Sequence, residues 1–250
     1  MSFSIDISEE RGVRQLYFGS EWVQGAMRVR DPYALELQYT RDMLTGLLLR
    51  AEDWPREALV IGLGAASLTK FIYRHCPQTR QTTVEIDPRV FAAARQFFKL
   101  PPPDERLSIE IEDGAVFVKQ TSTSFDLILV DGYDAEAKTG ALDTLEFYAA
   151  AREKLSDQGL MSMNLFGDFR GFEANLARIR EVFGDRVLAL PPSPSGNVIV
   201  LAAVGDAIEL PVDALHDRAE RLRQRTGLDL RSTLVRLEQD HRVQWGSLLL

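Results

Sequence analysis

"ALVIGLGAASLTKFIYRHCPQTRQTTVEI", residues 58–86, holds two short apolar runs separated by a turn containing Gly62 and Gly64 and by a stretch of helical spacing. The run 58–63, apolar almost throughout, and the β-branched run 82–86 read as strands of a sheet covered on both faces. Residues 67–74 between them read as the covering helix. The pattern repeats downstream, with strands expected at 107–112, 125–131 and 160–165 and helices at 88–98, 115–119, 144–155 and 172–183. Strands alternating with helices in this way predict a parallel sheet covered on both faces.

The ending of the series is distinctive. After the last helix, "RVLALP" and "NVIVLAAV" are joined by "PSPSG", a Pro- and Gly-containing link that predicts a hairpin and not a crossover. A mostly parallel seven-stranded sheet closed by an antiparallel last strand predicts an α/β class I methyltransferase-type Rossmann fold over residues 50–205. Upstream, "FSIDI", "VRQLYFG" and "EWVQGAMRV" are short runs broken by charged or Gly-containing turns, and predict a small N-terminal β-sheet. Residues 32–49 are expected to form a linking helix, with Asp31 as cap and Pro32 in the first turn, which completes an N-terminal unit of residues 1–49. Residues 206–250 read as two C-terminal helices, at 212–225 and 228–242.

Composition narrows the function classes. The 250 residues suit one sizeable domain with an appendage, and 45% hydrophobic with 26% charged residues predicts a packed core. A formal charge of −8 argues against nucleic-acid binding, which leans on clustered Lys and Arg. The single cysteine, Cys76, excludes an intrachain disulfide and a multi-cysteine metal or redox motif, and suits a reducing compartment. His75, His216 and His241 are scattered, so no metal is expected. "MSFSIDISEE" lacks a basic region followed by an apolar core, and no stretch approaches the roughly 18 apolar residues of a membrane span. The expectation is a cytoplasmic protein with no membrane partner.

Four successive strand ends carry the candidate ligand residues. The first runs into "GLGAAS", where Gly62 and Gly64, flanking Leu63, let backbone approach a ligand that a Cβ would exclude. The second ends at Glu85, placed to accept hydrogen bonds from both hydroxyls of a ribose, with Ile86 next to it. Asp87 and Pro88 read as a helix cap and first-turn pair. The third ends in Asp113 and Gly114, where the carboxylate suits an adenine amine but equally suits a helix cap. The fourth delivers Asp131 to the carboxyl edge of the sheet, where open α/β folds bind ligands, although Asp is also common in solvated turns. A dinucleotide site would share the Gly turn and Glu85, but Ser67 stands where the third Gly or Ala of that fingerprint belongs.

With "VEIDP" at Glu85, "DG" at Asp113, "FDLILVD" ending at Asp131 and "LEFY" at 145–148, the chain resembles the spermidine synthase family, the polyamine aminopropyltransferases, in a divergent spermidine synthase-like branch. The resemblance implies a donor of the S-adenosylmethionine or decarboxylated S-adenosylmethionine type, a small amine acceptor, no metal, and a homodimer supported by the N-terminal sheet. It also implies that a D-x-x-D segment supplies the general base, Asp131, and a second amine-binding carboxylate, Asp134. Tyr39 falls where the family has a tyrosine lining the amine site, and Tyr133 and Gln24 are further candidates for contact with the amine. The departures are Ala65 in place of the aspartate that holds the donor's aminopropyl nitrogen, "YTRDM" at 39–43 in place of Y-H-E-M, and Ala135 in place of a proline.

The chemistry this implies centres on a proton. Alkyl transfer from a sulfonium needs no metal because the leaving group is a neutral thioether. The amine, with a pKa of about 10.4, arrives protonated, and a carboxylate can orient it and take its proton, a role worth typically about 10² to 10⁴ in rate. Two alternatives stay open at this point: methyl transfer, which Ala65 favours, and a catalytically decayed protein that only binds a nucleoside.

Overall fold

The computed structural model describes residues 4–132, 140–166, 171–240, 243–244 and 246–250. Three antiparallel strands come first, β1 (Asp6–Glu10), β2 (Val13–Tyr17) and β3 (Val23–Arg28), in the order β1-β2-β3. The linking segment holds a short helix α1 (Gln38–Asp42) and a 3-10 turn at Thr45–Leu48. The βα series follows: β4 (Glu57–Ile61), α2 (Ser67–His75), β5 (Arg80–Glu85), α3 (Pro88–Phe97), β6 (Leu107–Ile111), α4 (Gly114–Gln120), β7 (Phe125–Val130), α5 (Leu145–Glu153), β8 (Leu155–Phe166) and α6 (Phe172–Phe183). It ends in β9 (Val187–Ala189) and β10 (Asn197–Ala203).

The main sheet has seven strands in the order β6-β5-β4-β7-β8-β10-β9, and β10 runs antiparallel to both β8 and β9. The reversed strand is thus the last of the sheet in chain order, but it takes an inner place. The chain moves outward from β4 to β6 on one side, then returns to build β7 and β8 on the other. That change of direction lies between β4 and β7, and an open α/β sheet leaves its ligand crevice at the carboxyl ends of such a pair.

Alternation along the strands divides the core in two. Ala58, Val60, Leu127, Leu129, Ile199 and Leu201 face one side, with α2 and the linking segment. Leu59, Ile61, Ile128, Val130, Met161 and Met163 face the other, with residues of α4, α5 and α6. The N-terminal sheet packs Leu16, Phe18 and Met27 onto Leu63, Ala65 and Ala66 and onto α3, so it bears directly on the glycine turn.

Two expectations need correction. Residues 32–49 do not form one helix. The hydroxyl of Thr40 donates to the carbonyl of Leu37, and the guanidinium of Arg41 donates to those of Leu35 and Glu36. Side chains thus occupy carbonyls that amides one turn later would need, and the segment stays irregular up to Gln38. The C-terminal part is more than two helices: α7 (Val212–Thr226) and α8 (Arg231–Gln239) are flanked by β11 (Glu209–Pro211) before them and β12 (Val243–Gln244) and β13 (Ser247–Leu249) after them, which form a small antiparallel sheet. Strands of two or three residues are too short to leave a period-2 signal.

Candidate active site

A cavity of about 840 Å³ opens at the carboxyl ends of β4, β5 and β7. Gly62, Leu63, Gly64, Glu85, Ile86, Asp113, Gly114 and Asp131 line it, as do Tyr39 and Gln24. The predicted residues within the described part of the chain therefore come together around one space. Tyr133 and Asp134 lie outside the described residues.

Gly62 makes the floor possible. Its φ is +94°, and a Cβ there would lie 2.2 Å from the carbonyl oxygen of Asp131. The chain at Gly62 and the chain leaving β7 can touch only if position 62 has no side chain. Its amide donates to the carbonyl of Val84, and the amide of Asp131 donates to that of Ile61, so three strand ends are bound edge to edge.

Glu85 is 7% exposed and holds the turn together from the other side. Its two oxygens accept the amides of Leu63 at 2.9 Å and Asp87 at 3.0 Å. Burial raises its pKa, and the amides of Asp87, Leu63 and Gly64 oppose that rise. Three amides leave one acceptor site of the carboxylate for a ligand hydroxyl. Asp113 both caps and lines: its Oδ1 accepts the amides of Ala115 at 2.7 Å and Val116 at 3.3 Å, fixing the start of α4, while the carboxyl group borders the cavity. The two sequence readings of this residue are compatible because a carboxylate has two oxygens. Asp87 is a cap, accepting the amide of Arg89 at 2.8 Å. Ile86 and Trp22, 66% and 56% exposed, add apolar surface to the cavity lining.

Asp131 lies at the opposite end. Burial raises its pKa to about 6, against hydrogen bonds from Asn164 and from the Tyr39 hydroxyl, which favour the carboxylate. The Asn164 amide donates to Oδ1 at 2.8 Å. Asn164 in turn accepts from the Asn197 amide at 3.0 Å, and Asn197 accepts from the Ser195 hydroxyl at 2.7 Å. A carboxylate so placed is ionised near neutral pH yet basic enough to take a proton.

Sequence reasoning missed Asn164, Ser195 and Asn197, all of which line the cavity. Asn164 sits near the end of β8, and the place of that strand beside β7 was the available signal. Ala65 also lines the cavity, but it is 2% exposed, and a Cβ on Gly25 of β3 would lie 2.6 Å from its own Cβ. The backbone of β3 fills the space into which a longer side chain at 65 would extend.

Four carboxylic acids line this cavity, Glu21, Glu85, Asp113 and Asp131, and no Lys or Arg does among the described residues. Such a wall suits a cationic ligand.

Comparison with known proteins agrees with this geometry. The sequence model of the spermine/spermidine synthase domain matches residues 36–167. The polyamine aminopropyltransferase of Neisseria meningitidis serogroup A is 38% identical over 234 residues, covering 94% of this chain and 89% of that protein. The polyamine aminopropyltransferase of Chromobacterium violaceum is 37% identical over 246 residues, covering 98% and 94%. A solved spermidine synthase, in complex with the transition-state analogue AdoDATO, superposes with a TM-score of 0.62 at 26% identity, covering 80% of this chain and 74% of that one. The chain belongs to the spermine/spermidine synthase family.

Proposed function

We propose that this protein transfers an aminopropyl group from decarboxylated S-adenosylmethionine to a polyamine, with Asp131 as the base. The family assignment makes it a transferase with an S-adenosyl-type ligand, and the observation that carries the finer reading is the acidic cavity wall, with no basic residue among the described residues that line it. The donor's sulfonium and ammonium, and the ammonium groups of the acceptor, find carboxylates there. A donor that keeps its carboxylate meets no cationic side chain among the described residues, which disfavours ordinary S-adenosylmethionine and with it methyl transfer.

In the reaction, the lone pair of the acceptor nitrogen attacks the aminopropyl carbon bonded to sulfur. The carbon–sulfur bond breaks with its electrons going to sulfur, and neutral 5′-methylthioadenosine leaves. The proton of the attacking amine goes to Asp131, and Tyr39 and Asn164 hold that carboxylate in place. Glu85 and Asp113 support the adenosyl end, through the ribose hydroxyls and the adenine amine. Asp134 is assigned to the amine by family resemblance, Tyr133 by its capacity for hydrogen bonding and cation–π contact, and Gln24 as a residue of the cavity wall. No metal takes part in this reading, and the protein works as a cytoplasmic homodimer, which size-exclusion chromatography of the purified chain tests. The decisive experiment is product analysis with decarboxylated S-adenosylmethionine and a panel of diamines and polyamines. Methylthioadenosine released in step with amine consumption supports the proposal; S-adenosylhomocysteine from S-adenosylmethionine, or no turnover with any amine, defeats it.

A further inference from the structure

The acceptor end of the cavity is held by two ladders that meet on Asp131. One comes through Tyr39 of α1, whose hydroxyl bonds the carboxylate. The other comes through Asn164, Asn197 and Ser195, the last bonded to Ser193 at 2.9 Å. One further side chain ties the two ladders to each other. Asp42, one turn after Tyr39 in α1, is 1% exposed, and both its oxygens accept from Nη2 of Arg236 at 2.7 Å. The other terminal nitrogen of Arg236 donates to the carbonyls of Pro191 and Pro192, each at 3.0 Å, just before Ser193. Thr233, also in α8, donates to Asp42 at 2.6 Å.

The amides of Leu190 and Ser193 close this loop on itself, and because residues 191 and 192 are prolines with no amide, their carbonyls are the handles left for a bond from outside it. A guanidinium is suited to this because its forked nitrogens reach a carboxylate and two carbonyls at once in a fixed plane. Bonds through Arg236, Asp42, Tyr39, Asp131, Asn164, Asn197, Ser195, Ser193 and the two prolines close a ring around the acceptor end. Arg236 lies outside the segment matched by the family model.

We propose that Arg236 is a positioning residue for the amine acceptor, fixing α1 and the 191–197 loop relative to each other so that Tyr39 and Asn164 approach Asp131 from opposite sides. The proposal rests on the aminopropyltransferase reading given above. Steady-state kinetics of the whole chain test it, with Arg236→Ala, Arg236→Lys and a control, Arg218→Ala, which cuts the bond from the neighbouring helix α7 to the carbonyl of Leu48 but touches neither ladder. For Arg236→Ala, kcat/KM for the amine falls about 10- to 100-fold, mostly through KM, as expected of a small misplacement at a reacting centre. Affinity for methylthioadenosine, bound at the Glu85 end, stays within about twofold, added guanidinium ion restores part of the loss, and Arg236→Lys is intermediate. Arg218→Ala lowers the melting temperature and leaves the amine kinetics unchanged. Equal losses in amine kinetics and methylthioadenosine affinity, or the same kinetic defect in Arg218→Ala, overturn the proposal. Should Arg236→Ala not fold, Arg236→Lys carries the same comparison. Should the wild type release no methylthioadenosine with any amine, the aminopropyltransferase reading fails, and hydrogen exchange decides the clamp. Joint loss of protection at 38–43 and 191–197 supports it, and loss confined to α8 overturns it.

Discussion

Asp131 is asked to be ionised, half-buried and basic at once, and these demands set its behaviour with pH. Its pKa in the folded protein is about 6, above the ordinary value because burial disfavours the charge. For activity, kcat/KM has an acidic limb near pH 6, activity rising as the carboxylate of the free enzyme ionises, and the limb of kcat lies lower because a bound cation favours the carboxylate. Asp131→Asn removes the base and the limb, and lowers kcat by about 10² to 10⁴. For stability the sign is opposite. A folded pKa above the unfolded one means that the group favours folding fully below about pH 4, and that this contribution is lost as pH rises through about 6. Chemical denaturation at pH 8 therefore finds Asp131→Asn more stable than the wild type, on the order of 2 kcal/mol, while catalysis collapses. A variant both inactive and destabilised contradicts the burial argument. Glu85→Gln tests the other end: its new NH2 group faces an amide donor of the turn, so calorimetry with methylthioadenosine should record a loss of about 1.5 to 3 kcal/mol. These acids were legible because a carboxylate after a buried strand is out of place unless it has work at the sheet edge. Asn164 was not, because a neutral amide within a strand carries no such signal, and its role appears only when β8 is seen beside β7.

At the scale of elements, apolar runs announced the strands of the Rossmann sheet, and Gly62 announced the turn. The turn's need for glycine is steric as well as conformational. Gly62→Ala combines a positive φ, which costs an L-residue about 1 to 2 kcal/mol, with a Cβ only 2.2 Å from the Asp131 carbonyl. Since that atom belongs to backbone bonded to Ile61, it cannot move alone. Urea unfolding should show a loss of at least about 3 kcal/mol, and methylthioadenosine binding should fall with it. A loss of only a few tenths would mean that the turn yields easily. The linking segment misled for a related reason. Leu35, Tyr39, Met43, Leu44 and Leu48 do share one core cluster, so their spacing truly reported burial. Burial does not require a helix when Thr40 and Arg41 satisfy the carbonyls instead. Periodicity reports which residues face inward, and the hydrogen bonds decide the backbone.

The whole molecule has a wider core than its sequence segments suggest. The C-terminal residues read as an appendage, yet Leu215, Leu222, Leu234, Leu237, Leu248 and Leu250 lie in the same buried cluster as Val60, Leu129 and Leu201 of the main sheet. They cover the face on which the linking segment and α2 also pack, so no boundary of solvent separates residues 206–250 from the Rossmann sheet. Each buried leucine contributes about 1.5 to 3 kcal/mol, so six of them together are comparable to the roughly 5 to 15 kcal/mol by which a domain is usually stable. Removal of residues 206–250 should therefore leave a chain that aggregates or lacks a cooperative transition, even though the matched family segment, 36–167, is intact. The full chain should unfold in one step, with fluorescence and circular dichroism curves superimposed. A truncated protein that melts cooperatively and still binds methylthioadenosine would make the C-terminal part a separable unit. Destabilisation alone would not distinguish cover from machinery, but the contacts do. The leucines of α7 and α8 shield the sheet, whereas Arg236 on the same helix reaches past them to Asp42 and the two proline carbonyls. A segment that stabilises the fold is thereby also in a position to set the geometry of the acceptor site.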